Sequence, residues 1–541
     1  MRRSAIVSGS ALLLTLGSLV PAAAQNPAAP ISLEERVRRL EELLAARPAP
    51  VQQPALPAEQ IAPVAQIPAA EPAFLPAQQS DAPTAVAAEP SLDERVRQLE
   101  AELDVARDNE MALRTRLSTL EQSTADASWI FDYNRASVRT ADGRFVLTLR
   151  ARFQFDAGSF FQDGDLPAAV NVGRDLHNGT YFRRAQIGFE GRVYRDFLYE
   201  MVFDFGSSGT ERAGQIYLLR VAYVGIPDFT FNVGAIQPKF SMDDSTSSAD
   251  ITFLERASIV NTILDPFGGS DSRRGAEILY NKQGFLFGSD NLLISAAYTG
   301  ERIATVKNDD EGTQVLGRVA YRFFSDEESN YQIGVNAARI LNKPNRQMSI
   351  SDRPESRVDG LQLVGFGPTG LAAAVNAQTA WAWGVEAGMN YGPFYMAGEY
   401  FRYGLDRTDD TLKDPEFDGW YAQASYFLTG EMRPYVPASA AWGSPPSNNP
   451  FALDADSWGA WEVKARYSVN DFDAFISDPV SANRVRGGEQ RIITAGMNWY
   501  LNRNLRWMFD HMWVDVDRLN STGAQAGQKF NVFATRLQFS Y

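Results

Sequence analysis

The sequence predicts an all-β transmembrane barrel of 16 antiparallel strands, preceded by a signal peptide and a periplasmic α-helical coiled coil. Three observations support this fold class. From about residue 144 onwards, apolar and polar residues alternate in segments of roughly ten residues, the length of a tilted transmembrane strand. The connections between these segments alternate between short and long. Outside the N-terminus no apolar run approaches the length of a membrane helix, so a membrane span has to consist of strands.

Bulk composition excludes several classes of function. The formal charge of −15 argues against a general nucleic-acid-binding protein, which needs a basic surface. The chain has no cysteine, so thiol catalysis, disulfides and thiolate metal sites are excluded. With only two histidines, His177 and His511, a histidine-rich metal site or a His-dependent triad has little support.

The N-terminus has the features of a secretory signal peptide over residues 1–24. Arg2 and Arg3 give the positive start, residues 11–20 the apolar core, and residues 22–24 a small-residue cleavage site. The alternative, a membrane anchor, is weaker because the apolar core is too short to span. Export without a lipobox cysteine points to the periplasm or outer membrane of a Gram-negative cell.

An internal repeat follows the signal peptide. The ten residues that begin at Ser32 recur almost unchanged from Ser91, and each copy starts with a capping-box pattern. Leucines and valines at 4-3 spacing predict a short coiled-coil helix in residues 25–47 and a longer coiled coil in residues 91–127. An isolated amphipathic helix is the alternative. Residues 48–90 are rich in Pro and Ala and predict an extended linker.

The barrel is predicted over residues 128–541. Its first strand shows the alternation clearly, with Phe145, Leu147 and Leu149 facing outward and Arg150 and Arg152 facing inward. After that strand, which begins near residue 144, the other 15 predicted strands are 181–193, 196–206, 214–224, 228–237, 274–283, 290–301, 313–325, 328–341, 380–391, 392–404, 417–428, 457–470, 488–502, 503–517 and 527–541. A soluble β-sandwich is the alternative, but it explains neither the strand length nor the turn pattern.

The lengths of the connections predict the orientation of the barrel. Long connections near 158–180, 238–273, 342–379, 404–416 and 471–487 alternate with tight turns, as expected for outer loops and periplasmic turns. Both termini are then periplasmic. The connection 429–457 is an exception: it is long where a short turn is expected, and the sequence offers no reason for its length.

No motif indicates an enzyme. The sequence has no Walker A, HExxH or GxSxG pattern, and no cofactor or metal site is predicted. A lipid-cleaving barrel enzyme would need a serine beside a histidine, and no nucleophile adjoins His511. The acidic loop runs at 308–311 and 406–410 could bind divalent cations, although solvated loops are the simpler interpretation.

Charged residues assigned to the lumen carry more information. Charge on the lipid face is costly, so the charged residues of the strands are assigned inward. Arg150, Arg152, Arg184 and Arg220 form a basic cluster on strands expected to contain few carboxylates. Such rings of arginine favour anions in a pore. Alternatively, each arginine pairs with a lumenal carboxylate and only makes the wall more rigid.

One long segment, residues 237–274, does not alternate. It is too apolar for a disordered linker, since it contains residues such as Phe240, Phe253 and Ile259. We expect it to fold back into the lumen as a constriction loop.

Several stretches of the barrel resemble the phosphate-selective porins O and P. These are Phe182-Arg-Arg-Ala-Gln186, Val233-Gly-Ala-Ile-Gln-Pro-Lys-Phe-Ser241, Ile251-Thr-Phe-Leu-Glu-Arg256, Thr429-Gly-Glu-Met-Arg-Pro-Tyr435 and Gly459-Ala-Trp-Glu-Val-Lys-Ala-Arg-Tyr-Ser468. The resemblance covers residues 144–541. It implies a trimeric barrel of 16 strands, a third outer loop in the lumen, and an arginine ladder with a lysine cluster that conduct anions.

The resemblance also implies roles for individual residues. Lys239 opens the constriction loop as a lysine does in the family. No further lysine follows it there, so a preference for phosphate over other anions stays open. The pore-lining residues predicted from alternation and resemblance together are Arg150, Arg152, Arg184, Arg220, Lys239, Arg256, Arg273 and Arg274.

Together these features predict a homotrimeric porin of the outer membrane, with its N-terminal region in the periplasm. It is expected to contact outer-membrane lipid and lipopolysaccharide, to pass small hydrophilic solutes with a preference for anions such as phosphate, and to bind no nucleic acid. The rival hypothesis is an envelope tether, with the coiled coil on peptidoglycan and the barrel as anchor. A tether needs neither a constriction loop nor inward arginines.

Overall fold

The computed structural model describes residues 91–124, 128–132, 135–140, 142–162, 175–206, 214–303, 305, 310–445, 447–455 and 457–541. The predicted signal peptide, the short helix in 25–47 and the linker 48–90 lie outside the described residues. The chain divides into two compact units, Met1–Ser123 and Thr124–Tyr541. Among the described residues, no helix is long and apolar enough to cross a membrane.

The described part of the first unit is one helix, α1 (Leu92–Thr124). It begins with the predicted capping box: the Glu94 amide donates to Ser91 Oγ over 3.4 Å, and the Ser91 amide donates to Glu94 Oε2 over 3.0 Å. Leu113 and Leu117 are more than half exposed. The helix therefore presents apolar side chains that remain exposed among the described residues, and the coiled coil stays a prediction.

The second unit is a closed antiparallel barrel of 16 strands, as the sequence predicts. In chain order, β1 to β16 are Val146–Gln162, Gly179–Val193, Phe197–Asp204, Gln215–Tyr223, Phe229–Ile236, Arg273–Gln283, Asn291–Arg302, Thr313–Ser325, Ser329–Asn342, Val375–Tyr391, Phe394–Arg407, Glu416–Phe427, Ala460–Ala474, Val485–Tyr500, Leu505–Asp517 and Gln528–Ser540. Each strand pairs with the next, and β16 pairs with β1 from Phe530↔Gln162 to Ser540↔Arg152. No sheet edge is left open along this seam.

A short hairpin precedes the barrel and pairs with the part of β1 that extends beyond the end of β16. Its strands are Ser128–Asp132 and Arg135–Arg139, and the second pairs with β1 at 146–148, where β16 has already ended. The Ala136 amide donates to the Tyr541 hydroxyl over 2.6 Å. The aromatic C-terminus therefore joins the hairpin to the barrel.

Alternation along the strands separates two faces. On β1, Phe153 and Phe155 are exposed to the outside, whereas Arg152, Gln154 and Asp156 are buried in the lumen. This is the arrangement expected of a wall with lipid on one side and a polar interior on the other.

The connections differ in length at the two ends of the barrel. At one end they are 163–178, 205–214, 237–272, 303–312, 343–374, 408–415, 475–484 and 518–527. At the other end most contain two to seven residues, but the connection 428–459 is long. Within the long connections lie helices α2 (Met242–Ser245) and α3 (Ser258–Leu264), the short strands Gln347–Met348, Ile350–Asp352, Val364–Phe366, Tyr435–Val436 and Ala441–Trp442, and 3-10 turns at Pro437–Ser439 and Ser481–Asn483.

Candidate functional site: a lumen narrowed by three connections

The connection 237–272 lies inside the barrel. Side chains of the barrel wall hold it mainly through hydrogen bonds to its backbone. Lys464 Nζ donates to the Thr252 carbonyl over 2.9 Å, and Arg506 donates to the Ile251 carbonyl over 3.0 Å. The Leu254 amide donates to Asp510 over 2.9 Å. These anchors come from β13 to β15, so the segment is fixed against that side of the wall.

Its apolar residues explain why the segment does not alternate. Ile259, Val260 and Ile263 of α3 are at most 1% exposed and pack in the core that fills this half of the lumen. Below them, Asn470 of β13 donates to Ser258 and Thr262 over 2.9 and 2.8 Å. The segment thus has a buried face of its own, which a strand facing water in a pore would not have.

A cluster of ion pairs fixes the centre of this connection. Glu255 is 4% exposed and accepts from Arg183 over 2.7 Å and from Arg536 over 2.6 Å. Burial alone would raise the pKa of Glu255, but Arg183, Arg536 and Arg357 hold it well below its usual value. Arg536 also forms a bidentate pair with Asp156, with both distances 2.7 Å.

The connection 428–459 enters the lumen from the opposite end. Arg433, only 1% exposed, donates to Glu462 of β13 over 2.7 Å and to the carbonyl of Asp250 over 2.8 Å. Trp442 is buried and packs against Tyr395 with ring centroids 5.3 Å apart. This explains its length: it is a second insert that packs against the first.

A third connection, 343–374, also packs on the first. Glu355 is 1% exposed and accepts from the Ser258 amide over 3.0 Å and from Ser468 over 2.6 Å, and it pairs with Arg466. Three inserts therefore fill the half of the lumen beside β9 to β16.

Two cavities in the lumen are lined in part by β1 to β4. One, of about 610 Å³, lies at the long-connection end, and the other, of about 750 Å³, lies toward the opposite end. The first is lined by Arg184, Tyr217, Gln237 and Asp244 among others, and the second by Arg150, Arg152, Ser247 and Asp250. The second insert contributes Pro434 and Gly443 to the second cavity.

The structure brings two of the predicted arginines together around one carboxylate. Glu200 pairs with Arg150 and accepts from Arg220 over 2.7 Å, and Glu190 lies 3.6 Å from Arg150. In the sheet, Glu190 is opposite Glu200, which is opposite Arg220. For Arg150 and Arg220, the structure therefore shows the alternative interpretation, in which each arginine pairs with a lumenal carboxylate.

Arg152 and Arg184 differ from that pair. Arg152 donates to Ser248 and Ser247 over 2.5 and 3.2 Å, and Arg184 donates to Gln154 over 2.9 Å. Both are 6% exposed, and among the described residues neither has a carboxylate within 4 Å. Their positive charges are therefore not neutralised by a direct ion pair.

The remaining four predicted residues lie in or beside the first insert. Lys239 is half-buried, and its ammonium group has no hydrogen-bond partner in the part of the chain that the structure describes. Arg256 donates to the carbonyls of Asp243, Asp244 and Thr246. Arg273 donates to Ser270, Gly300 and Asp265, and Arg274 lies 2.9 Å from Glu311. Three of these four thus hold neighbouring chain segments in place.

Arg183 was not among the predicted residues, because alternation places only one of two consecutive arginines inside. A register shift between Gln154 and Phe155 lets the neighbouring strand place both Arg183 and Arg184 in the lumen. Their burial is nearly equal, at 7% and 6% exposed. The doubled arginine in the motif at 182–186 is the sequence signal that could have indicated the bulge.

A closed 16-stranded barrel with a passage narrowed by inserts defines a porin of the outer membrane. The profile of the phosphate-selective porin O and P family matches residues 147–541, so the chain belongs to that family. The resemblance found in the sequence is confirmed. The protein is a channel of the outer membrane and not an enzyme.

Two relatives and two solved structures are similar to the chain. Porin O of Pseudomonas aeruginosa is 28% identical over 429 residues, which are 75% of this chain and 90% of that protein. An uncharacterized protein of Caulobacter vibrioides is 23% identical over 75% of this chain and 76% of its own length. The anion-selective porin from Comamonas acidovorans, with 12% identity over 73% of this chain and 100% of that one, gives a TM-score of 0.44. The outer membrane channel DcaP of Acinetobacter baumannii gives 0.42, with 12% identity over 74% of this chain and 99% of that one.

The buried anchor of the second insert leads to a stability prediction. Arg433→Met leaves Glu462 buried without its cation, and we expect the free energy of unfolding to fall by about 3–5 kcal/mol. Urea unfolding of the detergent-solubilised protein, followed by tryptophan fluorescence, measures this. The control is Arg402→Met, which removes an exposed pair with Glu416 and should cost about 0–1 kcal/mol. Equal losses in the two variants would contradict the anchoring role.

Proposed function

We propose that this porin passes small hydrophilic solutes by passive diffusion and prefers anions. The observation that carries the preference is the pair Arg152 and Arg184, which lie on neighbouring strands of the open wall without a carboxylate partner. In a narrow passage of low dielectric, such groups replace part of the hydration of an anion and lower its barrier.

The other predicted residues are proposed to contribute less to selectivity. Arg150 and Arg220 face the passage, but Glu190 and Glu200 offset their charge. Lys239 adds a cation at the entry of the first insert. Arg256, Arg273 and Arg274 are proposed to shape the constriction by holding its backbone and rim. The description of the family as phosphate-selective porins agrees with an anion preference, and phosphate is one candidate solute.

Planar-bilayer recording tests the anion preference. Arg184→Gln keeps a side-chain donor for Gln154 but removes the charge, so we expect the anion-to-cation permeability ratio to fall by roughly threefold or more. Arg152→Gln should act in the same direction.

The control is Arg491→Gln, which removes an arginine whose position in β14 alternates to the outer face. It should leave the ratio unchanged. An unaltered ratio in both lumenal variants, or a wild-type channel that favours cations, would refute the proposed anion preference.

We further propose a homotrimer that associates through the outer face of β16 and β1. Among the 16 barrel strands, the outward tryptophans lie on β10 to β15, as in an interfacial girdle facing lipid. The face of β16 and β1 instead carries phenylalanines such as Phe153 and Phe155, with the polar Ser159 near the long-connection end of β1. Polar groups are costly against lipid, and a protein partner removes that cost.

A steric change tests this face. Ser159→Trp should shift the trimer to monomer in native gels and in crosslinking, because the bulky ring prevents close contact. The matched control, Ala422→Trp on β12, adds the same side chain to the tryptophan-bearing side and should leave the trimer intact. Loss of the trimer in the control alone would place the interface on the other side.

The N-terminal region is proposed to lie in the periplasm, where three α1 helices bundle or reach toward peptidoglycan. The support is the exposed apolar stripe of α1 together with its capped start. The tether hypothesis has weaker support, since an anchor alone would not need three inserts in its lumen.

A further inference from the structure

One buried carboxylate that lines a cavity of the lumen lacks a hydrogen-bond donor for one of its two oxygens. Asp244, on α2 of the first insert, lines the cavity of about 610 Å³ and is 2% exposed. Its Oδ1 accepts from Gln237 over 2.9 Å, whereas no donor of the described residues reaches its Oδ2. A buried carboxylate oxygen without a donor is costly, so the arrangement needs an explanation.

The nearest arginine does not neutralise this group by direct contact. The guanidinium group of Arg256 donates to the carbonyl oxygens of Asp243, Asp244 and Thr246 and not to the Asp244 carboxylate. Among the described residues, its only carboxylate contact within 4 Å is with Asp243 Oδ2, at 3.9 Å. The insert therefore presents a negative group to the passage.

The barrel wall presents the opposite charge. Arg184 lines the same cavity as Asp244, and Arg152 lines the next cavity along the passage. Arg152 has an unsatisfied donor, because its Nε has no acceptor among the described residues. The lumen therefore holds one unsatisfied donor on the wall, Arg152 Nε, and one unsatisfied acceptor on the insert, Asp244 Oδ2, and the charged Arg184 lines the same cavity as Asp244.

We propose that Asp244 determines specificity by making the constriction bipolar, so that it favours small zwitterions that carry both a carboxylate and a protonated amine. This inference rests on the proposed porin function. A solute of that class places its carboxylate toward Arg184 and its ammonium group toward Asp244, so that Asp244 Oδ2 gains the donor it lacks. A simple anion gains the first interaction and is repelled by Asp244, so Asp244 limits the anion preference that Arg152 and Arg184 create.

The effect of pH gives a further test. Burial raises the pKa of Asp244 to about 6, against the opposing effects of Arg256, Gln237 and Lys239. The titratable and charged groups around it are Arg256 and Asp243 on the insert, Lys239 before α2, Asp265 and Asp271 after α3, Glu399 on β11, Asp352, Arg353 and Arg357 on the third insert, and Arg183, Arg184, Asp204, Tyr217 and Arg302 on the wall. Burial also raises the pKa of Asp352 to about 6, so the contribution of Asp244 is the part of the pH effect that Asp244→Asn removes. Because a raised pKa means that the carboxyl is neutral below about 6, lowering the pH from about 7.5 to 5 should raise the anion-to-cation permeability ratio.

The decisive experiment compares the full-length wild type with Asp244→Asn in two assays. Reversal potentials in KCl gradients give the anion-to-cation ratio, and swelling of proteoliposomes gives the rate of serine entry relative to arabinose, a neutral sugar. In Asp244→Asn we expect the ion ratio to rise by about threefold and the relative serine rate to fall by about threefold. The pH effect should also be smaller in this variant.

Two further variants keep the test falsifiable. Asp244→Glu retains the charge and should behave as the wild type does. Asp243→Asn removes the neighbouring carboxylate, which contacts Arg256 at 3.9 Å, and should leave both ratios unchanged. If Asp244→Asn conducts with both ratios unchanged, or if Asp243→Asn produces the same changes, the role of Asp244 is overturned.

Failure of the underlying function would look different. If the wild type forms no channels, or if its ion ratio does not respond to Arg184→Gln, the proposed anion-preferring pore fails, whatever Asp244 does. If the ratio responds to Arg184→Gln but not to Asp244→Asn, the pore stands and only the bipolar constriction fails.

Discussion

The ion-pair cluster around Glu255 is the interaction on which the architecture of the lumen depends. Glu255 accepts from Arg183 on β2 and from Arg536 on β16, and Arg536 is itself paired with Asp156 on β1. These strands lie on either side of the barrel seam, so one carboxylate of the insert joins both. Because a charge buried at this depth is costly without its partners, the insert has few alternative positions.

The other two inserts follow from the first. Arg433 of the second insert donates to the Asp250 carbonyl of the first, and Glu355 of the third accepts from its Ser258 amide. The second and third inserts therefore each form a hydrogen bond with a backbone group of the first insert. The lumen is therefore packed on the side of β9 to β16, and its cavities lie along β1 to β4. The side chains of those four strands are the ones that a solute would contact.

The barrel itself could be read from the sequence, since a period of two with lipid on one side imposes strong alternation. Strand number, closure and the long–short pattern of connections followed from that. Individual contacts did not follow. The pairing of Arg150 and Arg220 with Glu200 depends on register, because a shift of one residue would turn those side chains to the other face. The inward position of Arg183 depends on a bulge that alternation cannot reveal.

Periodicity and composition are local properties, and they were sufficient to predict a 16-stranded barrel with an apolar insert at 237–274 that has to be buried. They could not predict that the connection 428–459 fills the lumen from the other end, or which charges are neutralised. Arg152 and Arg184 lack a carboxylate partner, while Arg256 is used by backbone carbonyls. Neutralisation depends on distances between residues far apart in the chain, and in a narrow passage those distances set the field that a solute meets.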